Sequence, residues 1–350
     1  IRAGDIMLHH PYDSFEPVID FLKAAARDPQ VLAIKQTLYR AGTNSPVVAA
    51  LMEASENGKQ VSAVVELKAR FDEESNIGWA RALERVGVHV VYGFMGLKTH
   101  TKVCLVVRRE DDTTRRYVHL STGNYNAITA QIYADLGLFT CNPDFGSDAS
   151  NLFNALTGYS KKEDYKKFLV APHNMRQPFA ALIEREINWA KQGAPAKLSF
   201  KMNHLIDPEL IRHIYRASQA GVQVELLIRS VCGLRPGIPR LSDNIRVTSI
   251  AGRFLEHTRI YYFHNGGDPG IYLGSADLMP RNLDRRIETL FPIEDSFLKQ
   301  DLIEILDIGR ADNVNTRILH ADGSYERLTL GKKEPVRDSQ VELMAGARDR

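Results

Sequence analysis

Cysteine is scarce. There are three in 350 residues, at positions 104, 141 and 232, widely spaced and with no CxxC pair. That argues against a disulfide framework and a cysteine-based zinc site, and it fits a reducing compartment such as the cytoplasm. No apolar run approaches the 18 residues of a membrane-spanning helix, and no basic-then-apolar leader opens the chain. There is no GxxxxGK(S/T) string, so P-loop kinase chemistry is excluded, and no HRD…N or DFG set, which excludes the protein-kinase fold. A surplus of one charge is also missing. Lys+Arg number 45 and Asp+Glu 43, a formal net charge of +2. Net charge therefore calls for neither a nucleic-acid nor a membrane partner, and an anion site has to come from local clustering of basic residues.

What is present is ordinary globular composition, 44% hydrophobic and 25% charged, at a length that suggests two domains. The chain starts Ile1-Arg2-Ala3 without methionine and enters patterned sequence almost at once, which reads as a piece of a longer protein cut near a domain boundary. Helix and strand signals alternate. Asp13 or Ser14 can cap a helix running to about Arg27, and Ser45-Pro46 marks the start of another that ends at Asn57-Gly58. Strands are expected at 31–39, 61–67 and 88–92, a helix at 73–86, and a hairpin at 103–108 and 116–121. The second half follows the same order. Helices are expected at 175–191 and from Asp207-Pro208 to Ala220-Gly221, with a later one at 296–309. Strands are expected at 197–202, 222–228, 245–250, 260–263 and 270–274, with an edge strand at 288–293. The charged stretch 331–350 reads as a mobile tail.

Three landmarks repeat in one order. Gly58-Lys-Gln-Val61 returns as Gly221-Val-Gln-Val224 after 163 residues. His100-Thr-Lys102 returns as His257-Thr-Arg259 after 157, and Gly123-Asn-Tyr-Asn126 as Gly274-Ser-Ala-Asp277 after 151. Near-constant offsets indicate a duplicated α/β domain, with expected boundaries 1–168 and 169–330.

In an extended segment, residues two apart share a face, so His100 sits with Lys102 and His257 with Arg259. An imidazole beside a fixed cation suits a phosphate: the cation binds anionic oxygens, and the ring nitrogen attacks phosphorus or moves a proton. The two glycine turns carry Asn, Ser and Asp side chains that can orient an imidazole through its other nitrogen. Arg40, Arg70 and Arg229 follow predicted parallel strands, at the carboxyl ends where open α/β sheets bind ligands, and guanidinium forks match phosphate oxygens. Arg235, Arg253, Arg281, Arg285 and Arg286 can add to that field. His9, His10, His119, His204 and His213 lack a partner at ligand spacing and read as structural or solvated.

A duplicated domain with one HxK-type element and one Gly-(Ser/Asn)-x-(Asn/Asp) turn per half resembles the phospholipase D superfamily. Longer strings resemble the polyphosphate kinase family, the type that autophosphorylates on histidine: Asp5-Ile-Met-Leu-His-His-Pro-Tyr-Asp-Ser14, Ile34-Lys-Gln-Thr-Leu-Tyr-Arg40, Glu66-Leu-Lys-Ala-Arg-Phe-Asp-Glu-Glu74, Leu97-Lys-Thr-His-Thr-Lys102, Ser121-Thr-Gly-Asn-Tyr-Asn126 and Ile228-Arg-Ser-Val-Cys-Gly-Leu-Arg-Pro-Gly237. The resemblance implies two tandem phospholipase D-like domains, each a mixed, mostly parallel sheet flanked by helices, related by pseudo-twofold symmetry. It implies reversible transfer of the ATP γ-phosphate to polyphosphate, with His100 as the phosphohistidine and His257 assisting across a shared cationic cleft. Tyr133, Arg229 and His257 match positions credited with nucleotide binding, and Arg40 and Arg70 match positions associated with Mg²⁺. A guanidinium has no lone pair for a metal, so these arginines are expected to hold the phosphates that hold the ion. The resemblance also implies a homo-oligomer for the longer protein, leaves membrane association of that protein open, and does not imply nucleic acid as a partner. Arg259 stands where a lysine would complete the second HxK, which favours polyanionic substrates over symmetric phosphodiesterase chemistry. A phospholipase D-type phosphodiesterase and a non-catalytic polyanion-binding module remain the alternatives.

Overall fold

The fold follows from apolar runs of strand length set between capped amphipathic helices. In a computed structural model of the chain, residues 1–67, 73–93, 96–158, 164–331 and 334–348 are described. They form two compact units. The first comprises Ile1–Val170 with Arg285–Thr289, and the second Ala171–Asp284 with Leu290–Arg350.

In chain order the first unit holds β1 (Ile6–His10), α1 (Glu16–Arg27), β2 (Val31–Leu38), α2 (Pro46–Glu56), β3 (Gln60–Val65), α3 (Glu73–Arg85), β4 (His89–Tyr92), β5 (Lys98–Thr99), β6 (Val103–Glu110), β7 (Thr113–Ser121), β8 (Tyr133–Thr140) and α4 (Pro143–Leu156). The sheet runs β4-β3-β2-β6-β7-β8-β1. Only β2-β3 and β3-β4 are parallel, and every other neighbour along this path is antiparallel. The sheet is mixed, as expected, but not mostly parallel. The helix–strand alternation that signals parallel pairing covers only β2 to β4, and the hairpin and its returns supply the rest. Ser45 caps α2 as expected, its side chain accepting from the Val48 N–H. The start of α1 differs. Phe15 occupies the cap position, Ser14 Oγ accepts the Glu16 N–H, and the Asp13 carboxylate takes the His9 N–H. Val18, Leu22, Ile34, Val48, Leu51, Leu83 and Val106 meet in the core between helices and sheet.

After a short strand β9 (Leu169–Ala171), the second unit's sequence continues through α5 (Arg176–Lys191), β10 (Lys197–Met202), α6 (Pro208–Gln219), β11 (Gln223–Ile228), β12 (Ile245–Ile250), β13 (Leu255–Glu256), β14 (Ile260–Phe263), β15 (Gly270–Gly274), α7 (Pro280–Arg285), β16 (Arg286–Ile293), α8 (Ser296–Ala311), β17 (Thr316–Leu319), β18 (Tyr325–Arg327) and α9 (Ser339–Arg348). Its sheet runs β18-β17-β12-β11-β10-β14-β15-β16, of which β16 contributes its second half, from Leu290, while Arg286–Thr289 belong to the first unit. The stretch β12-β11-β10-β14-β15-β16 reproduces β4-β3-β2-β6-β7-β8, with the same parallel and antiparallel sense at every step. Each histidine of the repeat follows a two-residue strand, β5 or β13. Phe179, Phe200, Tyr261 and Phe263 pack edge-on or tilted, with ring centroids 5.0–5.6 Å apart, and fill the core under this sheet.

Two expectations need correcting. The stretch 331–350 is not simply a tail, because α9 lies within it and both Ser339 and Gln340 are buried. The expected edge strand at 288–293 begins earlier, and its first two residues, Arg286 and Ile287, pair in parallel with Lys98 and Thr99 of β5.

Candidate active site

In the first unit, backbone clamps fix the segment around His100. The Ile287 carbonyl accepts both the His100 and Thr101 N–H groups at 2.9 Å. Glu66 Oε2 accepts the Thr99 N–H at 2.8 Å. Thr37, near the end of β2, donates to the Thr101 carbonyl at 2.9 Å and accepts the Val103 N–H at 3.0 Å. The Thr101 and Thr289 hydroxyls meet at 2.8 Å. His100 itself is 7% exposed, and its Nδ1 lies 2.8 Å from Oε2 of the fully buried Glu288. Opposite an ionised Glu288, a neutral His100 ring carries its proton on Nδ1 and its lone pair at Nε2. Arg286 Nη1 stands 3.7 Å from the other Glu288 oxygen.

Tyr39 meets the His100 ring edge-on at 4.8 Å. Over the Tyr39 ring lie Lys102 Nζ at 5.1 Å and the Arg40 guanidinium at 5.5 Å. Lys102 is buried and donates to the His100 carbonyl. Arg40 and Tyr133 are both half-buried, at the end of β2 and the start of β8. Arg70 lies outside the described residues.

The 123–126 turn does not orient His100 as expected. Asn126 Oδ1 accepts the Ile128 and Thr129 N–H groups and so caps its own loop, while the Tyr125 hydroxyl meets His119 Nδ1 at 2.9 Å. Gly123 is needed for close approach, since a Cβ there would lie 2.4 Å from Asp135 Oδ2. The carboxylate that holds the imidazole is Glu288, 188 residues along the chain. Sequence spacing carries no signal for it beyond the Arg-Ile-Glu alternation of a strand.

In the second unit, Arg259 lies against His257. Its Nη1 lies 3.1 and 3.2 Å from the two ring nitrogens and donates to the His257 carbonyl at 2.7 Å. A guanidinium N–H needs a lone pair to donate to, which favours the neutral imidazole. The rest of the guanidinium faces Asp277, with Nε and Nη2 at 3.2 and 3.3 Å from its oxygens. Burial alone would raise the Asp277 pKa, but the Arg259 charge, His204 Nδ1 and the Asn203 N–H outweigh it and hold the carboxyl well below the usual range. The Asn203 amide satisfies its surroundings with its oxygen toward Arg259 and its nitrogen toward the Glu256 carbonyl, 3.0 Å away. So Asp277 grips the arginine rather than the imidazole, and the arginine in turn meets the ring. Arg229, half-buried after β11, is anchored by its backbone. Its N–H donates to the Met202 carbonyl, and its carbonyl accepts from Ser249 Oγ.

Among the described residues no group of three or more His, Cys, Asp or Glu could hold a metal ion. Arg40 offers no lone pair. The residues expected at a Mg²⁺ site therefore do not fit direct ligation.

Comparison with known proteins decides the family. Residues 1–162 match the model described as polyphosphate kinase C-terminal domain 1, and residues 168–340 match polyphosphate kinase C-terminal domain 2. The chain belongs to the polyphosphate kinase family. It is 56% identical over 348 residues to a polyphosphate kinase of Synechocystis sp., covering 99% of this chain and 48% of that protein. With a polyphosphate kinase of Thermosynechococcus vestitus the identity is 57%, covering 99% of this chain and 47% of the relative. The chain thus spans about half the length of these curated relatives. The crystal structure of the Porphyromonas gingivalis polyphosphate kinase superposes with a TM-score of 0.93 at 38% identity, over 99% of this chain and 53% of that one. A phosphatidylserine synthase of Haemophilus influenzae aligns at TM-score 0.59 and 13% identity, covering all of this chain and 94% of that one, which shows a shared fold. In polyphosphate kinase terms, the two family domains fall on the two repeats, and each repeat carries one histidine held by an ionic partner two residues or 188 residues away.

Proposed function

We propose that this chain is the catalytic half of a polyphosphate kinase that moves the ATP γ-phosphoryl group reversibly onto polyphosphate through a phosphohistidine on His100. The observation that supports the reading is the His100–Glu288 hydrogen bond, which in a neutral ring facing an ionised Glu288 leaves the lone pair at Nε2. In the first step that lone pair attacks the γ-phosphorus, the bond to the β–γ bridging oxygen breaks, and ADP leaves with the electron pair. In the second, an oxygen of the terminal phosphate of the chain attacks, the N–P bond breaks, and its electrons return to Nε2. Glu288 compensates the positive charge that grows on the imidazole in the first step. His257 moves the proton at the departing or accepting oxygen. Arg40, Arg70, Arg229 and Tyr133 hold the nucleotide and phosphates. Lys102 and Arg259 act at one remove, through the His100 carbonyl and the His257 ring. A divalent ion would be held through substrate oxygens.

The test uses ATP labelled at the γ-phosphate. Wild type should acquire acid-labile, base-stable label, and His100→Ala should acquire none. Glu288→Gln should slow labelling on the order of 100-fold or more, because the amide no longer fixes the productive tautomer. Label retained by His100→Ala would sink the assignment. Hydrolysis of bis-nitrophenyl phosphate without polyphosphate formation would favour the phosphodiesterase instead.

A further inference from the structure

The residue before His257 is tied to the last helix of the chain. Gln340, the second residue of α9, is 2% exposed, and its amide copies a strand partner. Its Oε1 accepts the Phe254 N–H at 2.8 Å, and its Nε2 donates to the Phe254 carbonyl at 2.9 Å and to Glu256 Oε1 at 2.7 Å. Glu256, 5% exposed, pairs through its other oxygen with Lys201 Nζ at 2.6 Å. Gly252 makes room for this amide, since a Cβ there would stand 2.6 Å from Gln340 Oε1. The helix start is itself anchored. Asp312, 1% exposed, accepts the Ser339 N–H and hydroxyl at 2.9 and 2.8 Å on one oxygen, and the Asn315 N–H at 2.7 Å on the other.

We infer that Gln340 is a positioning residue for His257, with α9 acting as a latch that fixes the backbone of 254–256. Arg259 holds the imidazole from the following side, so the ring is set between two anchors. Three buried polar groups meet at this latch, Glu256 forming an ion pair with Lys201 and accepting a hydrogen bond from Gln340, and losing the amide leaves a buried carboxylate oxygen without its donor. The effect on turnover rests on the proposed function, whereas the positioning of His257 does not.

The test reads both. Histidine ring signals are followed by NMR in the whole chain, with the His257 signal assigned by His257→Gln. Gln340→Ala removes the amide, Gly252→Ala displaces it without changing a residue of α9, and Gln340→Glu sets a carboxylate against Glu256. Each should move the His257 signal and leave that of His100 in place. Adding Glu256→Gln to Gln340→Glu restores a donor–acceptor pair and should return the His257 signal most of the way, an outcome that general loosening of the fold would not produce. In parallel, kcat for polyphosphate formation should fall roughly ten-fold in Gln340→Glu with KM for ATP within about two-fold, and recover in the double variant. A His257 signal unmoved in Gly252→Ala and Gln340→Glu, or unrestored in the double variant, overturns the inference. If Gln340→Ala fails to fold, those variants still decide it. Absence of polyphosphate synthesis by wild type would count against the proposed function, and the NMR comparison would still decide the latch.

Discussion

His119 is buried against Tyr125 and Phe139, 5.4 and 4.4 Å away between ring centroids, and its Nε2 has no hydrogen-bond partner. Burial, with a smaller push from nearby His10, lowers its pKa to about 3. The unfolded chain binds a proton here near pH 6.5, and the folded chain does not until far lower. The stability from keeping this ring neutral is therefore complete above about pH 6.5 and is lost as pH falls toward 3, at up to about 1.4 kcal/mol per pH unit. His119→Gln should flatten the fall of the thermal midpoint between pH 7 and 5, and an equal fall in both proteins would show that other groups set the acid sensitivity. The sequence marked His119 as structural or solvated because it lacked a partner at ligand spacing, and its burial decides for the first. His100 and His257 were found through their repetition. The spacing of two also put Arg259 beside His257, whereas Glu288 was not legible because it lies 188 residues from His100, and Asp277 meets Arg259 rather than the His257 ring. A turn motif shows which polar side chains are near in sequence, not which donor each one faces.

At the scale of elements, capping rules located helix starts well. Ser45 and Asp207 accept N–H groups from Val48 and Leu210, each three residues on. Four second-unit strands run over the expected ranges, 197–202, 245–250, 260–263 and 270–274. The helix Pro143–Leu156 was not among the expected elements, and its most consequential residue is polar. Asp148 is fully buried, and its oxygens accept the N–H groups of Lys166, Lys167 and Phe168 at 3.0, 2.7 and 2.9 Å. Three backbone donors turned inward on one carboxylate hold the segment after α4 against the helix. Asp148→Ala would strand all three and should cost roughly 3 kcal/mol, seen as a lower urea midpoint with amide exchange quickened first at 166–168. A change within 0.5 kcal/mol would mean that the segment is held by its apolar contacts, Phe168 above all. The tail reading failed for a related reason. Charge and few aromatics describe the surface of α9, whereas Ser339 and Gln340 at its start are sequestered by hydrogen bonds, which hydropathy does not register.

For the molecule as a whole, the duplication was legible because its landmarks are fixed by geometry: a glycine ending a helix, a histidine entering a strand, a tight turn after a hairpin. Loop lengths between them drift, and the second repeat has no counterpart of α3 between β11 and β12. Near-neutral net charge then has a consequence for any polyanion ligand. Attraction cannot come from the whole surface, so it must come from a countable set of cations, and each phosphate contact they make releases condensed counterions. The logarithm of the polyphosphate association constant should therefore fall linearly with the logarithm of salt concentration, with a slope near the number of contacts. Arg40→Gln and Arg229→Gln should each make that slope shallower by about one, while a substitution at Arg27, whose exposed guanidinium pairs with Glu53 at 2.6 Å, should leave it unchanged. Identical slopes in all three variants would remove the strand-end arginines from the binding surface, and a slope of zero in the wild type would remove the polyanion itself.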